Sequence, residues 1–341
     1  MKKILTKFKK EVIFLLLAIF LLVGYLIVSN LGNRVVWKPQ VASSTSQNTV
    51  VYNSILDGLE VSSSIQVNPR VIGVMIDNHP DARPQSGLLE AKVIYESPVE
   101  GRITRYFALF ASDQTVNEIG PVRSARPYFV DWLREYGGLY MHCGGSPDAL
   151  VQIKSQKVFD LNEMYNGDYF WRDNSRSAPH NLYTSSELWN KFLSNKNSSE
   201  FTAGWKFGDL DQTKAESVKN VAIEYSPSYS VGWKYLADSG RYERSINDRV
   251  QKEGQASLLA DSIIIQYVKS KVVDSYGRLE IDTSSQGDAR LLRDGLMWRG
   301  SWKKENGRTR FYDLSGQEMF LKPGKIWVQI VPKEINIKIS T

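Results

Sequence analysis

The sequence predicts an α+β fold that follows a single N-terminal transmembrane helix. Three observations lead to this prediction. An uncharged apolar run occupies residues 12–28, strand and helix patterns alternate over 55–200, and short β segments with frequent turns fill 221–332. Alternating strands and helices pack as helices on a sheet, whereas a succession of strands forms a layer of its own. We therefore expect an N-terminal layered domain of mixed sheet and helices, followed by a smaller β-rich domain.

The first 28 residues have the composition of a membrane anchor. Residues 12–28 read VIFLLLAIFLLVGYLIV, which lies at the short end of the length that spans a bilayer. Residues 1–11 form a basic tail, which the positive-inside rule places in the cytoplasm. A cleaved signal peptide is the alternative, but no small-residue cleavage pattern directly follows the apolar run. The sequence predicts a single-pass plasma-membrane protein, with its N-terminus cytoplasmic and the bulk of the chain extracytoplasmic.

Net charge and cysteine content argue against nucleic-acid binding, an intrachain disulfide and a lipid anchor. Five lysines and Glu11 in residues 1–11 contribute +4 of the net charge of +6, which leaves +2 for the rest of the chain. A nearly balanced extracytoplasmic part gives no reason to expect nucleic-acid binding. Cys143 is the only cysteine, so the chain has neither an intrachain disulfide nor a lipid-accepting cysteine beside the apolar run.

Composition also places the linkers. Residues 29–54 are rich in Ser, Thr, Asn and Gln, which is typical of a flexible linker that lifts a folded part off the membrane. Residues 201–220 are expected to connect the two domains, and residues 333–341 to form a tail.

Within 55–200 the pattern alternates. Apolar strands are predicted at Arg70–Ile76, Lys92–Glu96 and Arg102–Phe110. Apolar residues at positions i, i+3, i+4 and i+7 over 129–136 predict a helix with one inward face.

In the second domain, Asp294–Gly295 predicts a two-residue hairpin turn. Aromatic residues in strands are more often core than sugar-binding. We therefore expect four tryptophans in the core: Trp233, Trp298, Trp302 and Trp327.

The stretch Ile119–Pro127, IGPVRSARP, carries Arg123 and Arg126 around the expected start of this helix. Ser124 is predicted to cap the helix, with Pro127 in its first turn. Backbone N–H groups at a helix start carry a partial positive charge, so two guanidinium groups there would form an anion site.

The order of five longer motifs resembles the YerB family of bacterial cell-envelope proteins. These motifs are IGVMIDNHPDARPQSGL, YESPVEGRITRYFALF, IGPVRSARPYF, YMHCGGSPDAL and SAPHNLYTS, and the resemblance covers most of 55–332. It implies a layered sheet-and-helix domain with a smaller C-terminal one, and placement outside the cytoplasm. Most members are predicted lipoproteins, so this chain departs from the family in having an apolar span without a lipid-accepting cysteine. The resemblance supplies no reaction, because the family's biochemical role is unassigned.

Glu96, Glu100 and His142 are the candidates for acid–base chemistry. Two carboxylates four residues apart can raise one another's pKa. Arg105 shares a strand face with apolar residues, so it is expected to be partly buried and to need an acidic partner. We favour a structural network in which Arg105 pairs with the two glutamates over catalysis by them.

All three histidines, His79, His142 and His180, lie in the motifs. A zinc site would need them to converge, with Asp77 as a further ligand, but their spacing has no ligand signature such as HExxH. The sequence therefore predicts no metal site and no cofactor.

The turn HCGGS at 142–146 follows a predicted strand and enters a helix. Its backbone N–H groups, including that of Gly144, could hold a phosphate, and Ser146 could equally cap the helix. Cys143 is not expected to act with His142 as a nucleophile, because adjacent strand residues point to opposite faces.

The loop WRDNSRSAPHNLY is expected to cover the arginines as a lid. Loops at the carboxyl ends of strands gather on one edge of such a sheet, and ligands bind there. We therefore predict one cleft. Its candidate ligand-binding residues are Asn78, His79, Arg83, Glu100, Arg105, Arg123, Ser124, Arg126, His142, Gly144, Ser146, Arg172, His180 and Asn181.

Two classes of function remain. The favoured one is a protein that binds an anionic envelope ligand, namely a peptidoglycan carboxylate, a teichoic-acid phosphate or a protein partner. The alternative is a hydrolase or transferase of envelope polymers, in which arginines clamp the anion and Glu100 or His142 acts as base. No nucleophile–base pair stands out in the sequence, so an enzyme is not favoured. The expected partners are the plasma membrane, through residues 12–28, and an envelope ligand.

Overall fold

The computed structural model describes residues 15–26, 51–194, 196, 201 and 203–341. It divides the chain into two compact units, Met1–Val50 and Val51–Thr341.

In the first unit, residues 15–26 form helix α1, and their side chains are exposed. Among the described residues, no helix combines the length and the apolar character needed to cross a membrane. The predicted basic tail, both ends of the predicted span and linker residues 29–50 lie outside the described residues.

The second unit contains helices α2 (Pro127–Arg134), α3 (Pro147–Ser155) and α4 (Ser186–Leu193). The inward face predicted for α2 is confirmed, because all four apolar residues of the pattern are buried: Phe129, Trp132, Leu133 and Tyr136.

The strands of the first half of this unit alternate with its helices. They are β1 (Tyr52–Asn53), β2 (Glu60–Val61), β3 (Val71–Ile76), β4 (Val93–Pro98), β5 (Thr104–Ala111), β6 (Leu139–His142), β7 (Asp160–Asn162), β8 (Trp171–Arg172) and β9 (Leu182–Tyr183).

The second half is built from strands and turns. Its strands are β10 (Glu216–Ser217), β11 (Asn220–Ser226), β12 (Tyr229–Leu236), β13 (Arg241–Ile246), β14 (Arg249–Val250), β15 (Lys252–Glu253), β16 (Ala256–Ser257), β17 (Leu259–Ala260), β18 (Ser262–Val268), β19 (Ser270–Val272), β20 (Leu279–Ile281), β21 (Gln286–Arg293), β22 (Leu296–Glu305), β23 (Arg308–Asp313), β24 (Ile326–Pro332) and β25 (Asn336–Ser340).

Eleven strands form a central sheet, in the order β10-β22-β21-β18-β24-β4-β5-β3-β6-β7 with β23 paired to β22. The two halves of the unit meet where β24 runs parallel to β4, with Ile326 opposite Val93 and Gln329 opposite Glu96. The 55–200 and 221–332 segments therefore contribute to the same sheet. The helices and strands together confirm the predicted α+β class.

The central sheet is one layer between two apolar clusters. On β3, Ile72, Val74 and Ile76 contribute to one cluster, and Val71 and Met75 to the other. This alternation follows from the two-residue period of a strand. Residues of α2 belong to the cluster of Val71, whereas residues of α4 and of a second sheet belong to the cluster of Ile72.

The second sheet has the order β14-β13-β12-β11-β25, with β17 paired to β13. β25 lies antiparallel to β11, with Ile339 opposite Val221 and Ile337 opposite Ile223. The prediction that 333–341 is a tail is therefore wrong, because its isoleucines pack against the core. The predicted linker also ends early, since β1 pairs with β2 in the folded unit.

Two local predictions for the second half are confirmed. Asp294 and Gly295 form the turn between β21 and β22, with φ values of +52° and +75° that suit a type I′ hairpin turn. The tryptophans predicted in the core are all buried: Trp233, Trp298, Trp302 and Trp327.

A buried ion pair between Glu96 on β4 and Arg244 on β13 joins the two sheets. Both side chains have 0% exposure. Arg244 donates from Nη2 to Oε1 of Glu96 at 2.6 Å and from Nε to Oε2 at 3.2 Å. Burial raises the pKa of Glu96, but the charge and hydrogen bonds of Arg244 outweigh it and hold that pKa below its ordinary value. Glu96 is therefore ionised at neutral pH.

Four further donors satisfy the carboxylate of Glu96. Thr104 Oγ1 and Tyr229 OH donate to Oε1 at 2.7 and 3.0 Å. Trp327 Nε1 and Gln329 Nε2 donate to Oε2 at 3.0 and 2.8 Å. These donors come from β5, β12 and β24, so one carboxylate organises strands from both halves of the unit.

Replacing Arg244 by Met is expected to lower the free energy of unfolding by about 3–5 kcal/mol, because Glu96 is left as an uncompensated buried charge. Guanidinium denaturation of the full-length protein measures the loss. Lys271→Met is the matched control, since its pair with Glu280 is 66% and 63% exposed and such surface pairs contribute little. Equal losses for the two variants would contradict the structural role of the buried pair.

Candidate functional site

The arginine segment, defined as Ile119–Pro127, is bridged to residues that lie in or beside the other polar motifs. Val122 is bridged to Ile76 at the end of β3, and Gly120 is bridged to Ser86. Ile119 is bridged to Thr184, and Ala125 to Gly145. The motifs NHPDAR, HCGGS and PHN are therefore all neighbours of this segment along its backbone.

The helix beyond the arginine segment starts later than predicted. Arg126 is the N-cap residue of α2, Pro127 follows it, and no side chain caps the helix. The prediction that Ser124 is the cap is wrong, because Ser124 lies two residues upstream of that position. Its carbonyl oxygen instead accepts a hydrogen bond from Arg105 Nη1 at 2.8 Å.

Three guanidinium groups, Arg105, Arg123 and Arg126, form an arginine cluster here. Arg126 donates from Nε and Nη2 to the two carboxylate oxygens of Glu100 at 2.6 and 2.9 Å. Arg123 Nε lies 3.0 Å from Asp77 Oδ2. The cluster therefore contains three cations and two carboxylates that contact them.

Arg105 is the most buried member of the cluster, with 6% exposure. Burial lowers its pKa to about 10, with a further decrease from the charges of Arg126 and Arg123, while Asp77 acts in the opposite direction. Its Nε has no hydrogen-bond partner within the described part of the chain. A buried donor without a partner costs about 1–3 kcal/mol, so this position favours an additional acceptor.

The predicted pairing of Arg105 with two glutamates is wrong. Glu96 pairs with Arg244, and Glu100 pairs with Arg126. The glutamates were predicted as partners because they are close to Arg105 in sequence. In the folded chain, each glutamate instead pairs with an arginine from a distant segment. Glu96 is fully buried and hydrogen-bonded on both oxygens, so it has no free atom for acid–base chemistry.

His180 and His79 come together at the edge of the arginine cluster. His180 Nδ1 lies 2.7 Å from Asp77 Oδ2, the same oxygen that Arg123 approaches. The two imidazole rings stack, with their centroids 4.6 Å apart and their planes within 12°. His79 Nδ1 also lies 3.5 Å from Asp81 Oδ2.

His142 does not join these histidines. It is 0% exposed, with Nδ1 2.7 Å from the carbonyl oxygen of Gly144 and Nε2 3.1 Å from Asp160 Oδ2. Its inclusion in an open cleft, and its role as a candidate base, are therefore wrong. The structure gives it a packing role beneath the HCGGS turn, where it stacks on Tyr140.

The HCGGS turn is also internally satisfied. Ser146 caps α3 by accepting a hydrogen bond from Ala149 N at 3.4 Å. The predicted capping role of Ser146 is therefore confirmed. Gly144 N donates to Asn162 Oδ1 at 2.9 Å, so the N–H group that could have held a phosphate has a protein acceptor.

Asn78 belongs to the buried network, and Arg83 links that network to a surface cavity. Asn78 is fully buried and donates to Thr104 Oγ1 and Tyr229 OH at 2.8 and 2.6 Å. Arg83 donates to Asn78 and places its guanidinium 5.5 Å from the centre of the Tyr229 ring. Arg83 also lines a cavity of about 580 Å³ with residues of the second half, including Arg249 and Lys252.

The predicted lid is held by local hydrogen bonds. Arg172 donates to Asn181 Oδ1 at 2.9 Å and to Glu163 Oε1 at 3.1 Å. Glu163 also accepts from the thiol of Cys143 at 3.3 Å. Burial and the nearby Glu163 raise the pKa of Cys143 to about 11, which agrees with the expectation that it is not a nucleophile.

Comparison with known proteins decides the family. Residues 56–200 match the N-terminal domain, and residues 221–328 the C-terminal domain, of the family described as "Protein of unknown function (DUF3048)". The chain is 33% identical over 285 residues to "Putative lipoprotein YerB" of Bacillus subtilis (strain 168), across 81% of this chain and 85% of that protein. This chain belongs to the YerB family.

The fold agrees with that of the YerB family as well. The crystal structure of YerB protein from Bacillus subtilis matches with a TM-score of 0.76 and 30% identity, over 84% of this chain and 99% of that one. The resemblance predicted from the motifs is confirmed.

Two buried charged residues of this YerB-family protein were not among the predicted ligand-binding residues: Arg244, and Asp77, which the sequence suggested only as a further zinc ligand. Arg244 lies between Tyr242 and Ile246 on the buried face of β13, so an arginine in an apolar strand position was the available signal. Asp77 follows β3 directly and is buried, yet it contacts Arg123 and His180. Its position at a strand end beside polar motifs was the signal for a role in the site.

Replacing Glu100 by Gln is expected to make stability less sensitive to acid. Burial raises the pKa of Glu100, but the hydrogen bonds and charge of Arg126 outweigh it and hold the pKa below 4.5. A lowered folded-state pKa stabilises the folded chain above 4.5, and that stabilisation is lost as the pH falls through the lowered value. Unfolding free energies of wild type and variant, measured from neutral pH downward, should therefore converge below pH 4.5.

Glu253 is a control because its pKa shifts in the direction opposite to that of Glu100. Burial raises the pKa of Glu253 above 4.5 despite hydrogen bonds from Gly87 and Leu89. Stabilisation by a group of raised pKa is present at low pH and lost as the pH rises. Wild type should therefore gain stability relative to Glu253→Gln on acidification. The same pH trend in both variants would contradict these assignments.

Proposed function

We propose that this YerB-family protein is held at the plasma membrane and uses the arginine cluster to bind an anionic component of the cell envelope. The ligand class is a peptidoglycan carboxylate, a teichoic-acid phosphate or an acidic partner protein. The observation that carries the proposal is Arg105, a buried guanidinium with an unpartnered Nε beside Arg123 and Arg126.

Charge supports this proposal. Among the described residues, two carboxylates, Asp77 and Glu100, contact the three guanidinium groups, so a single anion would balance the cluster. Carboxylates and phosphates accept charge-assisted hydrogen bonds from arginine, often from two N–H groups at once.

Arg123 is the most exposed of the three arginines. Its side chain is 27% exposed. An anion reaching it from solvent would lie next to the more buried Arg105 and Arg126. Binding there needs no rearrangement of the Glu96–Arg244 pair.

Binding accounts for the site better than catalysis does. Glu96 and His142 are both fully buried, and Glu100 is held by Arg126 with its pKa lowered. An acid–base catalyst needs a group that exchanges protons with its substrate at working pH.

The membrane attachment has separate support. The apolar run 12–28 follows a lysine-rich start, and the Bacillus subtilis relative carries the name "Putative lipoprotein YerB". The proposed arrangement is a single span with the N-terminus in the cytoplasm, which positions the arginine cluster among envelope polymers.

The anion proposal is tested by retention on isolated bacterial cell walls. Full-length protein in detergent is incubated with walls before and after removal of teichoic acid. The double variant Arg123→Ala with Arg126→Ala is expected to bind about tenfold or more weakly, since hydrogen bonds to charged groups contribute about 1.5–3 kcal/mol. Loss of wild-type binding on stripped walls would identify phosphate as the ligand group, and retained binding a peptidoglycan carboxylate.

Arg299→Ala is the matched control, because Arg299 forms an exposed surface pair with Glu216. Arg123→Ala alone is a second test variant that leaves the Glu100 pair intact. Retention that is equal in wild type, the double variant and Arg299→Ala would refute the anion proposal.

The anchor proposal is tested by fractionation of cells that express the full chain or a chain without residues 1–28. The full chain is expected to stay with membranes through an alkaline wash and to be cleaved by protease added outside the cell. The shortened chain is expected in the soluble fraction. Release of the full chain by the alkaline wash would contradict a membrane span.

A further inference from the structure

We propose that His79, Asp81 and His180 bind a divalent transition-metal ion. Each residue offers one ligand atom, and the three atoms lie within 4.8 Å of one another. Two imidazoles and one carboxylate are a donor set that suits zinc and other first-row transition metals.

The histidines are brought together by long-range packing. His79 lies in the NHPDAR motif after β3, whereas His180 lies in the loop before β9. Their rings stack at 4.6 Å, so one ring must turn for both to bind a single ion in their ring planes. His79 Nδ1 lies 3.5 Å from Asp81 Oδ2 and accepts a hydrogen bond from Asp81 N at 3.3 Å, which the ion would replace. The separation of 3.5 Å between these two atoms is small enough for one ion with metal–ligand distances of about 2.0–2.2 Å to contact both.

Asp77 holds both histidines in place. Its Oδ2 lies 2.7 Å from His180 Nδ1, and its Oδ1 accepts a hydrogen bond from His79 N at 3.1 Å. A carboxylate on one ring nitrogen is the usual support of a metal-binding histidine, because it fixes the tautomer and directs the other nitrogen to the ion. For His180 that other nitrogen is Nε2.

The three proposed ligands form a site that is accessible to solvent. The side chain of His180 is 14% exposed, while those of His79 and Asp81 are 42% and 74% exposed. Three protein ligands leave at least one coordination position free for water or an oxygen ligand. The charge of Arg123, which contacts the same Asp77 oxygen as His180, is balanced by Asp77.

This proposal does not rest on anion binding, although Asp77 contacts both Arg123 and His180. It uses none of the three arginines as a ligand, and its test measures the metal alone. Failure of anion retention would leave the metal site unaffected, and the reverse also holds.

The test is calorimetric titration of zinc into the full-length protein, purified in detergent without a polyhistidine tag. One zinc ion per chain is expected. Asp81→Asn and His180→Ala should each weaken binding about tenfold or more, and Asp77→Asn about 10–100-fold as expected for a supporting carboxylate. Cobalt in place of zinc should give a visible absorption band that His79→Ala diminishes.

Two variants serve as controls. Asp168→Asn removes an exposed carboxylate elsewhere, and Cys143→Ser removes the only thiol; both should bind zinc as wild type does. Asp81 is highly exposed, so its replacement leaves the fold intact and keeps the test decisive. Absence of zinc binding, wild-type affinity in Asp81→Asn and His180→Ala, or loss of binding in Cys143→Ser would overturn the proposal.

Discussion

The Glu96–Arg244 pair is the constraint on which the folded unit depends. Two charges at 0% exposure are tolerated only because each carboxylate oxygen of Glu96 accepts several hydrogen bonds and the guanidinium lies 5.0 Å from the ring centre of Trp327. A slip of one residue in β4 would turn Glu96 to the other face and leave Arg244 unpaired. The network therefore selects the register of the central sheet and the position of the second sheet together.

The arginine cluster differs from the Glu96–Arg244 pair in its hydrogen bonding. Glu96 has every acceptor position used, whereas Arg105 is buried with a donor that no described residue satisfies. Asp77 contacts Arg123 on one side and His180 on the other, so the same carboxylate connects the cationic cluster with the stacked histidines. A buried polar group without a partner needs an explanation, and a bound anion would supply one for Arg105.

Local features were predictable from the sequence, and long-range pairings were not. The inward face of α2 follows from helical spacing, and the turn at Asp294–Gly295 from the preference of these residues for positive φ. The parallel pairing of β24 with β4 has no local signal, and neither does the choice of Arg244 as partner of Glu96. Residues 333–341, which were predicted to be a tail, do carry a strand pattern in the sequence. Ile335, Ile337 and Ile339 alternate with polar residues as in a half-buried strand.

The parallel pairing of β24 with β4 has a consequence for the order of synthesis. Gln329 donates to Glu96 across a sequence separation of 233 residues, so β4 lacks one neighbour until the ribosome has made β24. Until then, an apolar strand edge remains open to pairing with other chains. A polypeptide that leaves the ribosome from its N-terminus must keep this edge unpaired, or shielded by other factors, until β24 follows.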